Sequence, residues 1–252
     1  MANYDFPTEI ISLPSQGKCY SESNPLSKGT VEIKYMTAKE EEILASQNLV
    51  RKGVVIDKLF ESIIVDKDIN VDDIVLGDKN AILLATRVLG YGPEYKIEVL
   101  DSIGEKQEIS VDLGKVQTKE IDFDLLSSEN VYKFTTPHGK DDLEFKILTH
   151  GDEKKIDADI KALQRLNKGG VSAELTTRYR FMILSVNGES DTKAITNFIN
   201  NKFITRDTKA FREYISKITP DINMEFEYYD EETGETEVRP IPMGVGFFWP
   251  TE

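Results

Sequence analysis

Two periods alternate along this chain. Apolar residues that return every three to four positions predict amphipathic helices, and those that return every second position predict half-buried strands. The clearest passage runs from Gly77 to Gly104. An acidic residue, Asp78, opens a helix in which Ile82, Leu83, Ala85, Val88 and Leu89 are apolar and Arg87 is the single arginine. Gly90, Gly92 and Pro93 halt it, and YKIEVLD (95–101) and QEISVDL (107–113) then alternate about a short turn as a β-hairpin.

Before that passage, EIISL (9–13) and TVEIKY (30–35) read as extended pieces of an N-terminal arm punctuated by Pro7, Pro14 and Pro25. Thr37 stands three residues before Glu40, the spacing of a capping box, and opens a helix carrying Ile43, Leu44 and Leu49. After Gly53, VVIDKLFESII (54–64) predicts a second helix. Beyond the first hairpin, KEIDFDLL (119–126), VYKFTTP (131–137) and DLEFKIL (142–148) read as strands. Helices are expected again over 148–166, 174–188, 191–203 and 206–218, followed by strands at 224–230 and 236–242 and the tail MGVGFFWPTE. The expectation is an α+β fold of two helical clusters, each followed by β-hairpins. Its segments are an extended arm (1–35), a first cluster with hairpins (36–147), and a second with the aromatic tail (148–252).

The second half echoes the first. With Asp78 aligned on Asp207, Ala81 falls on Ala210, Leu89 on Ile218, Ile97 on Phe226 and Asp101 on Asp230. The capped starts MTAKEEEIL (36–44) and LTHGDEKKI (148–156) also hold matching positions. Identity is low, so internal duplication and a chance likeness of two helix-hairpins both stand.

Composition narrows the chemistry. The 45 acidic against 31 basic residues give a net charge of −14, which disfavours nucleic acid as a partner and favours basic protein surfaces. No run of apolar residues is long enough for a membrane span, and the N-terminus does not have the pattern of a signal peptide. The lone cysteine, Cys19, excludes an intrachain disulfide and a multi-thiolate metal site. No phosphate-binding glycine motif is present. The two histidines, His138 and His150, each lie beside glycine and have no partner at metal-ligand spacing. Nothing assembles a nucleophile, base and orienting group, so no catalytic, cofactor-binding or metal residues are expected.

Two features point to contacts instead. Lys161, Arg165, Lys168, Arg178 and Arg180 gather positive charge in an acidic chain, as a docking patch or as a solvated helix face. Phe247, Phe248 and Trp249 near the C-terminus either fold back into the core or insert into a neighbour, because each aromatic ring buries roughly 150–250 Å² when packed.

Taken in order, ISLPSQGKCY, NPLSKGTVEIKYMTAKEEEIL, NLVRKGVVIDKLFESIIVD and GDKNAILLATRVLGYG resemble the baseplate protein family of T-even-type contractile-tailed phages. FKILTHGDEKKID, ELTTRYRFMILSVNG, RDTKAFREYISKITPDI and PMGVGFFWP extend the resemblance over nearly the whole chain. It implies a baseplate hub subunit or hub assembly protein, made in the bacterial cytoplasm and without catalytic residues. The implied partners are other baseplate or tail proteins, the hub and the tape measure among them, with a homo-oligomer as an alternative and no cofactor. A transient tail assembly chaperone is the second reading, and a carboxylate-dependent hydrolase is a remote third. Some members of the family carry a Cys-x-x-Cys knuckle near the first hairpin. This chain has Asp101-Ser102-Ile103-Gly104 there, so no zinc site carries over.

Overall fold

The structure, a computed structural model, describes residues 7–166, 173–230, 233–243 and 245–248. It is an α+β fold in which each half opens on a hairpin, passes through helices and closes on a hairpin, with different numbers of helices before the chain returns to the opening hairpin. In the first half, strands β1 (Thr8–Ser12) and β2 (Thr30–Lys34) form an antiparallel hairpin. Helices α1 (Ala38–Ala45), α2 (Gln47–Lys52) and α3 (Val55–Ile63) follow, and the chain returns to bridge Ile64 with Ile33 of β2. Helix α4 (Leu76–Tyr91) then leads into the hairpin β3 (Glu94–Leu100) and β4 (Lys106–Asp112).

The second half opens on the hairpin β5 (Tyr132–Thr135) and β6 (Asp142–Phe145), continues through α5 (His150–Leu166) and α6 (Glu174–Met182), and returns as β7 (Ile183–Val186) to pair with β6. Helices α7 (Thr192–Asn201) and α8 (Thr205–Ile218) precede the hairpin β8 (Glu225–Tyr229) and β9 (Thr236–Pro240).

Side chains repeat along with elements. VEIKYMT (31–37) and LEFKILT (143–149) take the same stations, each running out of the second strand of a hairpin and into a helix cap. In the first, Thr37 donates its backbone N–H and hydroxyl to Glu40, and Lys34 reaches the other carboxylate oxygen at 2.9 Å. In the second, Thr149 does the same to Asp152, and Lys146 reaches the other oxygen at 2.7 Å. Each carboxylate thus caps its own helix and ties it back to the preceding strand by an ion pair.

The boundaries expected at residues 35 and 147 do not divide the core. The arm hairpin contributes Leu13, Leu26, Val31 and Ile33 to the same cluster that holds Phe60, Ile82, Phe145, Ile156 and Phe211. The halves are also joined by backbone. Leu76 N–H donates to Leu148, His150 N–H to Ile74, Lys119 N–H to Asp221 and Asn223 N–H to Gln117. Gly77 lies so close to Pro220 that an added Cβ would meet its carbonyl oxygen at 1.8 Å, so α4 can approach only without a side chain there.

Three expectations need correction. Residues 174–188 are not one helix; α6 ends at Met182, and the apolar ILSV run pairs with β6 as a strand. KEIDFDLL (119–126) alternates as a strand would, but Asp122 accepts the N–H of Asp124 and folds 123–125 into a 3-10 turn. Helix α4 begins at Leu76 and runs through Gly90 to Tyr91, so Asp78 is its third residue, and its carboxylate is not a cap.

The closing hairpins of the two halves lie against one another. Ser102 N–H donates to Asp230 at 3.0 Å, Arg239 donates to the Leu100 carbonyl at 2.7 Å, and the Tyr228 hydroxyl reaches Gln107 at 3.4 Å. The Asp101 carboxylate accepts the N–H groups of Ile103 and Glu105 and holds the β3–β4 turn.

Candidate functional site

Most of the buried carboxylates are consumed by the fold. Asp78, fully buried on α4, accepts Ser15 N–H at 2.9 Å, Ser15 Oγ–H at 2.6 Å and Tyr20 Oη–H at 2.6 Å. The Tyr20 oxygen in turn accepts Val75 N–H. Burial pushes the Asp78 carboxyl above its usual range, against the hydrogen bonds from Ser15 and Tyr20 that favour the anion. Asp207, the third residue of α8, accepts the N–H groups of His138 and Gly139 at 2.8 and 3.0 Å. Burial opposes its charge, but these backbone donors outweigh it and hold Asp207 below the ordinary value. At Glu40, burial is likewise outweighed by hydrogen bonds from Ser62, Lys34 and Thr37, and its pKa falls to about 2.

The arrangement closest to a ligand site lies where α3, the turn at 71–73 and α5 meet. A cleft of about 370 Å³ is lined by Val54, Asp57, Glu61, Asn70, Asp72 and Lys154, among others. His150 Nε2 lies 2.6 Å from Asp57 Oδ1, and its Nδ1 is buried without a partner. Asp57, Asp72 and His150 bring one donor atom each to within 4.8 Å of one another, the set a divalent cation would meet. Lys154 already stands among them, its ammonium 3.1 Å from Asp57 and 2.7 Å from Asp72. Burial works against that ammonium, but its hydrogen bonds to Asp72 and Asp57 raise its pKa above the ordinary value. Lys154 thus occupies both carboxylates with one ammonium, and the cluster ties residues of the first half to α5 of the second.

The basic residues do not converge into one free patch. Arg180 pairs with Asp159 at 2.7 Å and Arg178 with Glu174 at 3.3 Å, both within the chain. Lys161 and Arg165 are exposed on α5. Lys168 lies outside the described residues.

For the aromatic tail, the folding-back alternative is the one the structure shows. Phe247 is 1% and Phe248 5% exposed, so neither presents a ring to a partner, which corrects their assignment as contact residues. Phe247 packs edge-on to Tyr95 at 5.2 Å, and its carbonyl accepts Arg87 Nε–H at 2.8 Å. Arg87 also donates to the carbonyls of Gly92 and Glu94 and lies over the Tyr91 ring at 5.0 Å. Its sequence signal was a lone arginine on an apolar helix face; that it would grip the chain terminus has no local signature. Trp249 lies outside the described residues.

Compared with known proteins, the chain matches no family model, no curated protein and no solved structure. Among the described residues no helix is long and apolar enough to cross a membrane.

Proposed function

We propose that the protein is a non-enzymatic component of a T-even-type contractile-tail baseplate, a hub subunit or hub assembly factor that acts through protein–protein contacts. The observation that carries this reading is the ordered set of motifs, from ISLPSQGKCY to PMGVGFFWP, that resembles that family over nearly the whole chain.

The use of the acidic side chains supports it. Glu40, Asp78, Asp152 and Asp207 spend their oxygens on capping helices and tethering loops. All four are buried and bonded to the chain itself, so none stands free on the surface to meet a ligand. What the fold offers outward is helix and hairpin surface on a core shared by both halves. The partners proposed are the hub and tape-measure proteins.

Quantitative mass spectrometry of purified mature tails tests the reading. A fixed ratio to the other baseplate proteins identifies a structural subunit. Absence from tails, with presence in baseplate intermediates, identifies an assembly factor. Absence from both removes the proposal.

A further inference from the structure

The two closing hairpins, β3–β4 and β8–β9, concentrate what the rest of the surface dilutes. Their described residues (94–112, 225–230 and 233–240) carry 11 carboxylates against three cations, Lys96, Lys106 and Arg239. That is a net of −8 in a chain whose total is −14. The cations are already engaged: Lys96 pairs with Glu108 at 2.9 Å, Lys106 with Glu98 at 2.8 Å and Arg239 with Glu237 at 3.0 Å. Among the described residues no cation pairs with Glu105, Glu225, Glu227 or Glu235, and all four are exposed.

Large apolar side chains stand exposed in the same place. Leu100 is 57%, Ile103 62%, Tyr229 60% and Val238 64% exposed. Ile103 is in the turn itself, where glycine, asparagine or aspartate would satisfy the backbone without exposing hydrocarbon. Charge alone would be explained as a guard on the open edges of two-stranded ribbons. A guard does not call for four apolar side chains among the charges. Both hairpins also present these residues from a fixed frame, because Ser102–Asp230 and Arg239–Leu100 lock one ribbon on the other.

We infer that the double hairpin is a docking finger for a partner protein whose contact surface is rich in lysine or arginine with apolar residues between the charges. The exposed carboxylates supply attraction and orientation, and Leu100, Ile103, Tyr229 and Val238 supply burial. The inference rests on the reading that the protein works through protein contacts, and it names where.

The test uses the full chain, isotope-labelled for NMR, and a synthetic peptide of alternating lysine and leucine as the probe. Amide shifts are expected to concentrate at 94–112 and 225–240. A finger variant (E105Q, E225Q, E227Q, E235Q) is expected to bind at least about tenfold more weakly, while a charge-matched control elsewhere (E9Q, E22Q, E42Q, E129Q) changes affinity less than about twofold. An I103S variant is expected to weaken binding without changing its salt dependence. Shifts spread over the chain, equal weakening by both charge variants, or no binding of the peptide would overturn the proposal. Failure here is separable from failure of the baseplate reading. If tail proteins co-purify equally with the wild type and the finger variant, that reading stands and the finger falls. If the peptide binds the finger but no tail protein co-purifies, the reverse holds.

Discussion

Asp78 and Asp207 hold the same station in the two halves of the chain. Each is the third residue of a helix, each is buried, and each accepts the backbone N–H of a residue that follows a proline, Ser15 at 2.9 Å and His138 at 2.8 Å. In both halves this bond fastens the loop of the opening hairpin to the last helix before the closing hairpin. The clamp explains why an acidic residue recurs at a position that a capping argument alone would place one turn earlier.

Removing the first clamp should be the more damaging change. Asp78→Ala strands the Ser15 amide, the Ser15 hydroxyl and the Tyr20 hydroxyl in the interior. Each unsatisfied buried group costs about 1–3 kcal/mol, so a loss of roughly 3–5 kcal/mol is expected. Asp207→Ala frees two amides of an exposed loop that water can reach, and about 1–2 kcal/mol is expected there. Urea denaturation of the two variants checks the order; equal losses would contradict it.

Acid should unfold the protein in part through Glu40. Its folded pKa, about 2, lies below the ordinary 4.5. Its stabilisation is therefore complete above about 4.5 and is lost as pH falls towards 2. Asp207 acts with the same sign. Asp78 has the opposite one: its raised pKa favours the fold at low pH, and that benefit fades as pH rises through its folded value. Glu40→Gln should flatten the acid limb of stability against pH, whereas Asp78→Asn should steepen it. Denaturation midpoints measured across that range decide both signs.

The C-terminal segment should behave as core. Each buried phenylalanine cut to alanine costs roughly 3–5 kcal/mol, and deletion of residues 244–252 removes both Phe247 and Phe248. The shortened chain is expected to be insoluble or unfolded. Arg87→Met keeps most of the volume but leaves the Phe247, Gly92 and Glu94 carbonyls without their donor. It should speed limited proteolysis at the C-terminus before the rest of the chain yields. A truncated chain of unchanged stability would contradict this.

Cys19 should be inert in the native state. It is 3% exposed, and burial pushes its thiol pKa up to about 12, with the hydrogen bond to Tyr132 opposing. Labelling with a thiol reagent should follow unfolding, its rate rising with denaturant. Rapid labelling of the folded protein would contradict the assignment.

Local signals were enough for much of this fold. The hairpins follow from alternation in YKIEVLD and DLEFKIL, and the Thr37–Glu40 cap from spacing alone. The weak alignment of Asp78 on Asp207 marked a real equivalence, but its cause was hidden because each partner loop lies more than 60 residues away. Where local pattern misled, a distant partner decided. ILSV (183–186) fits a helix or a strand until β6 offers it an edge, and 119–126 alternates without a neighbouring strand to receive it. The Asp57–His150–Lys154 cluster was invisible for the same reason, being assembled from α3 and α5. The aromatic tail had two readings in the sequence, and Arg87, 160 residues from Phe247, is what separates them.

The most direct test of the whole account is an affinity pull-down of the tagged full chain from phage-infected cells, with eluted proteins identified and quantified by mass spectrometry. Baseplate and tail proteins, the hub or the tape measure among them, should be recovered in constant proportion to the chain. Recovery of the chain alone, or with host proteins only, would contradict a role in building the tail.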